Sequence, residues 1–249
     1  MLLALDLGNT SLSAGVFDGK KLVRRFRVPA AEFSILAARL QQHLAGLPQG
    51  AIKRVALASV NPPWLYAVQG SLHVALHGVK VVMVGRDVKV PVEARVDHPE
   101  EVGVDRLLNA VAAFRRLKEA CLIADFGSAL TVDVVSEDGA YIGGVIAPGV
   151  GMSAAALHAG TALLPEVKVE PLERVIGTDT ITCIQSGLFW GTISTLEGLV
   201  ARLRQEYPAV GKVLATGGDA ELFAGRCAAI DEVVPELTLE GIRLTVEEG

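Results

Sequence analysis

The chain has 249 residues, of which 51% are hydrophobic and 5% aromatic, and its formal net charge is −5 at pH 7. This is the composition of an α/β protein with a well-filled core, and it excludes disordered and fibrous classes; at this length folding removes roughly three-quarters of the unfolded surface from water. An acidic balance offers nothing global to a polyanion, so no nucleic acid is expected as a partner and any phosphate site must be local.

Residues 2–6, 12–17 and 21–28 read as three strands, with Asp18-Gly19 turning the second into the third. Lys20, Lys21, Arg24, Arg25 and Arg27 cluster around that turn and the third strand. Phe33, Leu36, Ala37, Leu40 and Leu44 have helical spacing, which predicts a helix over 30–46 that Gly46 and Pro48 stop. VALASV at 55–60 is a buried strand ended by Asn-Pro-Pro, 63–77 is helical, and KVVMVG at 80–85 is another strand. The first half is therefore βββαβαβ.

An amphipathic helix over 103–119 follows, its apolar face running through Leu107, Leu108, Val111, Ala112 and Leu117, with Arg115, Arg116 and Lys118 as solvated charges. The pattern then restarts. Strands are predicted at 121–125, 129–135 and 140–146, then a helix after Pro148, a longer helical region over 180–204, and a strand at 212–216. βββαβα thus occurs twice, and two domains are expected, 1–119 and 120–249. The uncharged stretch 145–164 has the length of a membrane span, but Pro148, Gly149 and Gly151 break it into a loop and a core helix. Cys121, Cys183 and Cys227 are scattered and odd in number, which supports neither a disulfide framework nor a zinc site. The opening MLLALDLG has no basic flank of the kind a signal peptide carries. A cytoplasmic protein that does not engage membranes is expected.

Two segments share one design. LALDLGNTSLSAGVF at 3–17 and CLIADFGSALTVDVV at 121–135 each carry an apolar run, Asp-x-Gly, small polar residues and a second apolar run. Gly8 and Gly127 let the backbone approach a ligand closely. Asn9, Thr10, Ser11 and Ser128 supply amide, hydroxyl and backbone donors that suit phosphate oxygens. Asp6, at the end of a buried strand, is placed to hold a hydrated Mg²⁺ that bridges phosphates. Either segment alone also reads as a plain hairpin. As a pair in matching element orders they describe an α/β chain of two duplicated actin-like (ribonuclease H-like) βββαβαβ domains, clamping a triphosphate in a cleft between them. LATGGDAELF at 214–223 reads either as a glycine pair beside an adenine or as an ordinary strand-to-helix turn.

Along almost its full length the sequence resembles type III pantothenate kinases. The resemblance rests on DLGNTSLSAGVF at 6–17, ASVNPP at 58–63, DHPEEVGVDRLLNA at 97–110, DFGSALTVDVV at 125–135, GGVIAPGVGMSAAAL at 143–157, ALLPEV at 162–167, GTDTITCIQSGLFWG at 177–191 and TGGDA at 216–220. It implies ATP-dependent phosphorylation of the primary hydroxyl of pantothenate, the first step of coenzyme A synthesis. It makes Asp105 of Gly-x-Asp-Arg the catalytic base, where residue chemistry alone would equally make it a helix N-cap. It assigns Gly103, Val104, Asp105 and Arg106 to substrate binding, with Arg106 suited to the pantothenate carboxylate, and Thr180 as a further pantothenate contact. It assigns ATP to Asp6, Leu7, Gly8, Asn9, Thr10, Ser11, Leu12 and Ser13 and to Ser128, and a monovalent cation, K⁺ or NH₄⁺, to Asp125. It also implies a homodimer, because the family completes the pantothenate site across a dimer interface.

Three positions depart from the family pattern. Position 104 is Val where Ala is usual, Val96 stands where a tyrosine usually lines the pantothenate pocket, and Ser128 replaces Thr. Two other functions are compatible with the residues: an actin-like kinase of another small hydroxy compound such as a sugar, and a non-catalytic nucleotide-binding regulator. Product analysis separates the first, and ATP binding without ADP release the second.

Overall fold

A computed structural model describes every residue except Gln49, His77 and Gly249, and Glu248 by its backbone only. The predicted helix end at 77 lies outside the described residues. By packing, the chain divides into two compact units. One comprises Met1–Val92, His98–Ala112 and Glu236–Gly249, and the other Glu93–Asp97 and Ala113–Pro235.

The first unit is built on a five-stranded sheet. Its strands in chain order are β1 (Leu2–Leu7), β2 (Ser11–Asp18), β3 (Lys21–Pro29), β4 (Arg54–Ser59) and β5 (Val81–Met83), arranged β3-β2-β1-β4-β5. β1 pairs antiparallel with β2 and parallel with β4, and β5 is parallel to β4. Alternation along β1 explains why its apolar run is nearly continuous. Leu3, Leu5 and Leu7 face α1 (Leu36–Leu44) and α2 (Pro62–Ala75), packing with Leu36, Leu40, Val68 and Leu72. Ala4 instead joins Ala56 and Ala58 against α3 (Val104–Leu117) and α7 (Leu237–Glu248), through Leu108, Leu239, Ile242 and Val246. Asp6 belongs to this second face by register, opposite Ala58.

The helix expected over 30–46 is two elements. Ala30–Ile35 is a 3₁₀ turn and α1 follows it. Its tighter winding follows from two anchors: the Ala30 amide donates to Thr10 O at 2.9 Å, and Phe33 is buried in the core.

In the second unit the plan recurs strand for strand. β6 (Cys121–Phe126), β7 (Ala129–Val135), β8 (Tyr141–Pro148), β9 (Val213–Thr216) and β10 (Glu232–Val233) form a sheet of order β10-β9-β6-β7-β8. β6 and β7 are antiparallel while β6 and β9 are parallel, as β1 is with β2 and β4. Leu122, Ala124 and Phe126 face Phe189, Ile193, Leu196 and Val200 of α5 (Thr180–Glu206). α4 (Val150–Ala159) precedes α5, and α6 (Ala220–Ala224) joins β9 to β10. Among the described residues no helix is long and apolar enough to cross a membrane.

Candidate active site

The first Asp-x-Gly segment is the bend between β1 and β2. Leu7 pairs with Leu12, leaving Gly8 to Ser11 as the loop, closed by Gly8 N donating to Ser11 O at 3.0 Å. Leu7 and Leu12 are wholly buried, so neither side chain is available to a ligand. Asn9 and Thr10 are exposed at the tip, and Asp6 and Ser13 are half-buried partners across the strands. Ser11 is pinned from beneath: its Oγ accepts from Arg27 Nε at 2.6 Å. The bend is therefore a rigid strand pair with a short polar tip.

Asp105 is the second residue of α3, and Gly103, not Asp105, takes the N-cap place: Arg106 N and Leu107 N donate to Gly103 O at 3.1 and 3.4 Å. The Asp105 carboxylate folds back toward the helix start and accepts from Arg106 N at 2.9 Å. A Cβ on Gly103 would lie 2.5 Å from Asp105 Oδ1 and 3.7 Å from Val60 Cγ1, so only glycine leaves the carboxylate this room. Val60 N in turn donates to Leu7 O at 3.2 Å. Asp105 thus stands at the end of the first sheet where β1 opens into its bend. Burial pushes its carboxyl above the ordinary aspartate value of 3.8, outweighing the Arg106 amide and the Arg106 charge, which pull it down. Val104 walls an open hollow of about 270 Å³ with Ser59, Leu65, Met83, Gly85 and Arg86.

In the second unit the equivalent bend is one residue tighter. Phe126 pairs with Leu130, and Gly127 N donates to Ala129 O at 3.0 Å. Asp125 lies opposite Thr131 on β7 and Thr216 on β9, half-buried, with Ser128 half-buried at the tip. Two neighbouring segments close around this bend. Gly149 N donates to Ser128 O at 3.1 Å ahead of α4, and Asp219 N donates to Phe126 O at 3.1 Å ahead of α6. Gly217 has φ +93°, and a Cβ there would overlap Asp125 Oδ1. The Gly-Gly turn is thus a strand-to-helix turn whose first glycine lets β9 pass against Asp125. Further along the same face Asp133 is fully buried, accepting from Tyr141 Oη at 3.2 Å and Thr131 Oγ1 at 3.4 Å.

Thr180 is the exposed first residue of α5, behind a capping box in which Asp179 Oδ1 accepts from Thr182 N at 2.9 Å. Val96 belongs to a short strap, Glu93–Asp97, that runs beside β8. Arg95 N donates to Tyr141 O at 2.8 Å and Tyr141 N to Glu93 O at 2.9 Å.

Among the described residues, the one group of three metal-capable side chains is His98, Glu100 and Glu101, exposed and away from both bends in sequence. Neither Asp6 nor Asp125 belongs to such a group. A single half-buried carboxylate beside a bend with exposed polar residues fits Mg²⁺, which keeps its waters and takes most ligands from phosphates.

One contact escaped the sequence reading. Asn61 reads there as the end of a strand and as part of ASVNPP, and its Nδ2 donates to Asn9 Oδ1 at 3.2 Å. The Asn-Pro-Pro signal marks a helix start but not a partner so distant in sequence.

Comparison with known proteins identifies the family and the fold. The type III pantothenate kinase family profile matches residues 2–202. A type III pantothenate kinase of Anaeromyxobacter sp. (strain Fw109-5) is 40% identical, with 100% of both chains covered. Among solved structures, a Baf-family protein from Campylobacter jejuni aligns with a TM-score of 0.62 at 18% identity, covering 99% of this chain and 98% of the other. A ROK family glucokinase from Streptomyces griseus, in complex with glucose and AMPPNP, gives 0.53 at 12%, covering 100% and 99%. At such identities the structures speak for the fold alone, and that fold is actin-like. The sequence match is decisive: the chain belongs to the type III pantothenate kinase family.

Proposed function

We propose that this protein transfers the γ-phosphoryl group of ATP to the primary hydroxyl of pantothenate, opening coenzyme A synthesis in the cytoplasm. The observation that carries the mechanism is the desolvated Asp105 carboxylate beside the first bend, a stronger base than an ordinary aspartate. Asp105 takes the hydroxyl proton as the substrate oxygen bonds to the γ-phosphorus. The bond from that phosphorus to the β,γ-bridging oxygen breaks, and ADP leaves. General-base assistance of this kind contributes on the order of 10²- to 10⁴-fold.

The remaining roles follow from chemistry. Backbone amides of the segment from Asp6 to Ser13, with Asn9 and Thr10 at its tip and Ser128 on the second bend, steady the phosphates. Asp6 would hold a hydrated Mg²⁺, which would supply positive charge to neutralise the phosphates. Asp125 would hold a monovalent cation, K⁺ or NH₄⁺, and Arg106 pairs with the pantothenate carboxylate. Gly103 and Val104 shape the substrate's surroundings, and Thr180 contacts pantothenate in a homodimer. Support for that dimer comes from the second unit, where Met152, Leu157, Leu163, Val175, Ile176 and Ile181 are all exposed, Leu163 at 91% and Ile176 at 82%.

The test is ADP release from ATP and Mg²⁺, with pantothenate or with a panel of sugars, with and without K⁺. Release that needs both pantothenate and K⁺ is expected. Release with a sugar but not pantothenate contradicts the substrate, and ATP binding without any release contradicts the enzyme.

A further inference from the structure

Asn61 sits at the N-cap of α2, 8% exposed, and both ends of its side-chain amide have partners. Its backbone N donates to Ser59 Oγ at 3.1 Å, its Oδ1 accepts from Trp64 N at 3.2 Å, and its Nδ2 donates to Asn9 Oδ1 at 3.2 Å. These three contacts fix more than position. A backbone N–H only donates, so Trp64 obliges the oxygen of the Asn61 amide to face the helix. The NH₂ group is then the part that faces Asn9, and an NH₂ group only donates. Asn9 must therefore present its oxygen to Asn61 and turn its own NH₂ outward, at the exposed tip of the first bend.

We infer that Asn61 is a positioning residue for phosphoryl transfer: through Asn9 it sets the first bend as a hydrogen-bond donor to the nucleotide's phosphates. The inference rests on the proposed phosphate role of Asn9. Without Asn61 the Asn9 amide is free to rotate and to present its oxygen to an anion, which repels it. Supporting contacts brace both ends of the relay. Trp64 packs edge-on against Phe33, with ring centroids 4.9 Å apart, in the 3₁₀ turn whose first amide holds Thr10 O. The helix start and the bend tip form one braced unit, so the amide polarity is settled before nucleotide arrives.

The discriminating variant is Asn61→Asp. Aspartate caps a helix as well as asparagine does, so α2 is retained, but the new carboxylate only accepts. Asn9 is then forced to give its NH₂ to the cap and its oxygen to the phosphates. ATP–Mg²⁺ affinity, read by calorimetric titration, is expected to fall about tenfold, the size of one lost hydrogen bond to a charged group. The KM for pantothenate is expected to stay unchanged, and the melting temperature to stay near wild type. Asn61→Ser keeps a cap but cannot reach Asn9, so a smaller loss is expected; it decides the matter alone should the aspartate variant not fold. In an Asn9→Ala background, Asn61→Asp is expected to add nothing. If Asn9→Ala weakens ATP binding and the Asn61 variants do not, the relay is overturned while the role of Asn9 stands. If neither position affects ATP binding, both are overturned. An Asn61→Asp effect of full size in the Asn9→Ala background traces to the added charge and overturns the relay.

Discussion

Asp105 carries opposite costs for folding and for chemistry. Its carboxyl titrates above 3.8 because burial penalises the charge, so at neutral pH the ionised form destabilises the fold while giving a better proton acceptor. The folded state holds this proton more tightly than the unfolded chain does, so the group favours folding in acid, and that advantage is lost as pH rises through its raised pKa. Asp105→Asn is therefore expected to melt above wild type at pH 7, by a margin that closes as the pH is lowered toward 3.8. Thermal melts of both proteins across that range check it, and a mutant that melts lower at pH 7 contradicts it. Gly217 gives a second prediction at this scale. With φ +93° and Asp125 Oδ1 and the Phe126 carbonyl in the way, Gly217→Ala is expected to cost about 1–3 kcal/mol from backbone strain alone and to weaken ATP binding by displacing the bend that carries Ser128. Denaturant unfolding and ATP titration measure the two effects, and unchanged values in both would remove the close approach from the account.

The strap Glu93–Asp97 shows an element held by charge as well as backbone. Arg95 pairs with Asp138 at 2.5 Å and with Glu93 at 2.7 Å. Hydrogen bonds from Arg95, then from Ser136, hold the Asp138 carboxyl down at about 2. A lowered carboxylate stabilises the fold above its unfolded value and loses that contribution as pH falls through about 2. In Arg95→Ala the Asp138 resonance, followed by NMR, is expected to titrate closer to 3.8, and a value still near 2 assigns the shift elsewhere. Sequence periodicity revealed the strands well because the central ones, β1 and β6, are buried on both faces and read as apolar runs broken only by their acids. It revealed the two bends because Asp-x-Gly repeats at matching places. It could not show the strap, whose residues carry no period, nor the 3₁₀ turn at Ala30–Ile35, where a tie to Thr10 overrides helical spacing. Nor could it show the Asn61–Asn9 bond, which joins two segments far apart in the chain.

For the whole molecule, the duplicated strand order was legible, but the destination of the last helix was not. α7 is amphipathic, and amphipathicity says that one face is buried without saying against which sheet. It returns to the first unit, where Arg243 lies 5.7 Å over the Phe17 ring and Arg54 Nη2 donates to Val246 O at 2.6 Å. The exposed apolar side chains of α4 and of 163–181 set an expectation for assembly: light scattering should give twice the chain mass, and Leu163→Asp with Ile176→Asp should reduce it to one chain. A wild-type monomer contradicts the proposed dimer. The proposed function rests on one desolvated carboxylate, Asp105, activating the alcohol of pantothenate. The most direct measurement is pantothenate-dependent ADP release by Asp105→Asn alongside its affinity for ATP. Turnover is expected to fall by about 10²-fold or more with ATP affinity kept. A mutant that turns over at the wild-type rate would contradict the account.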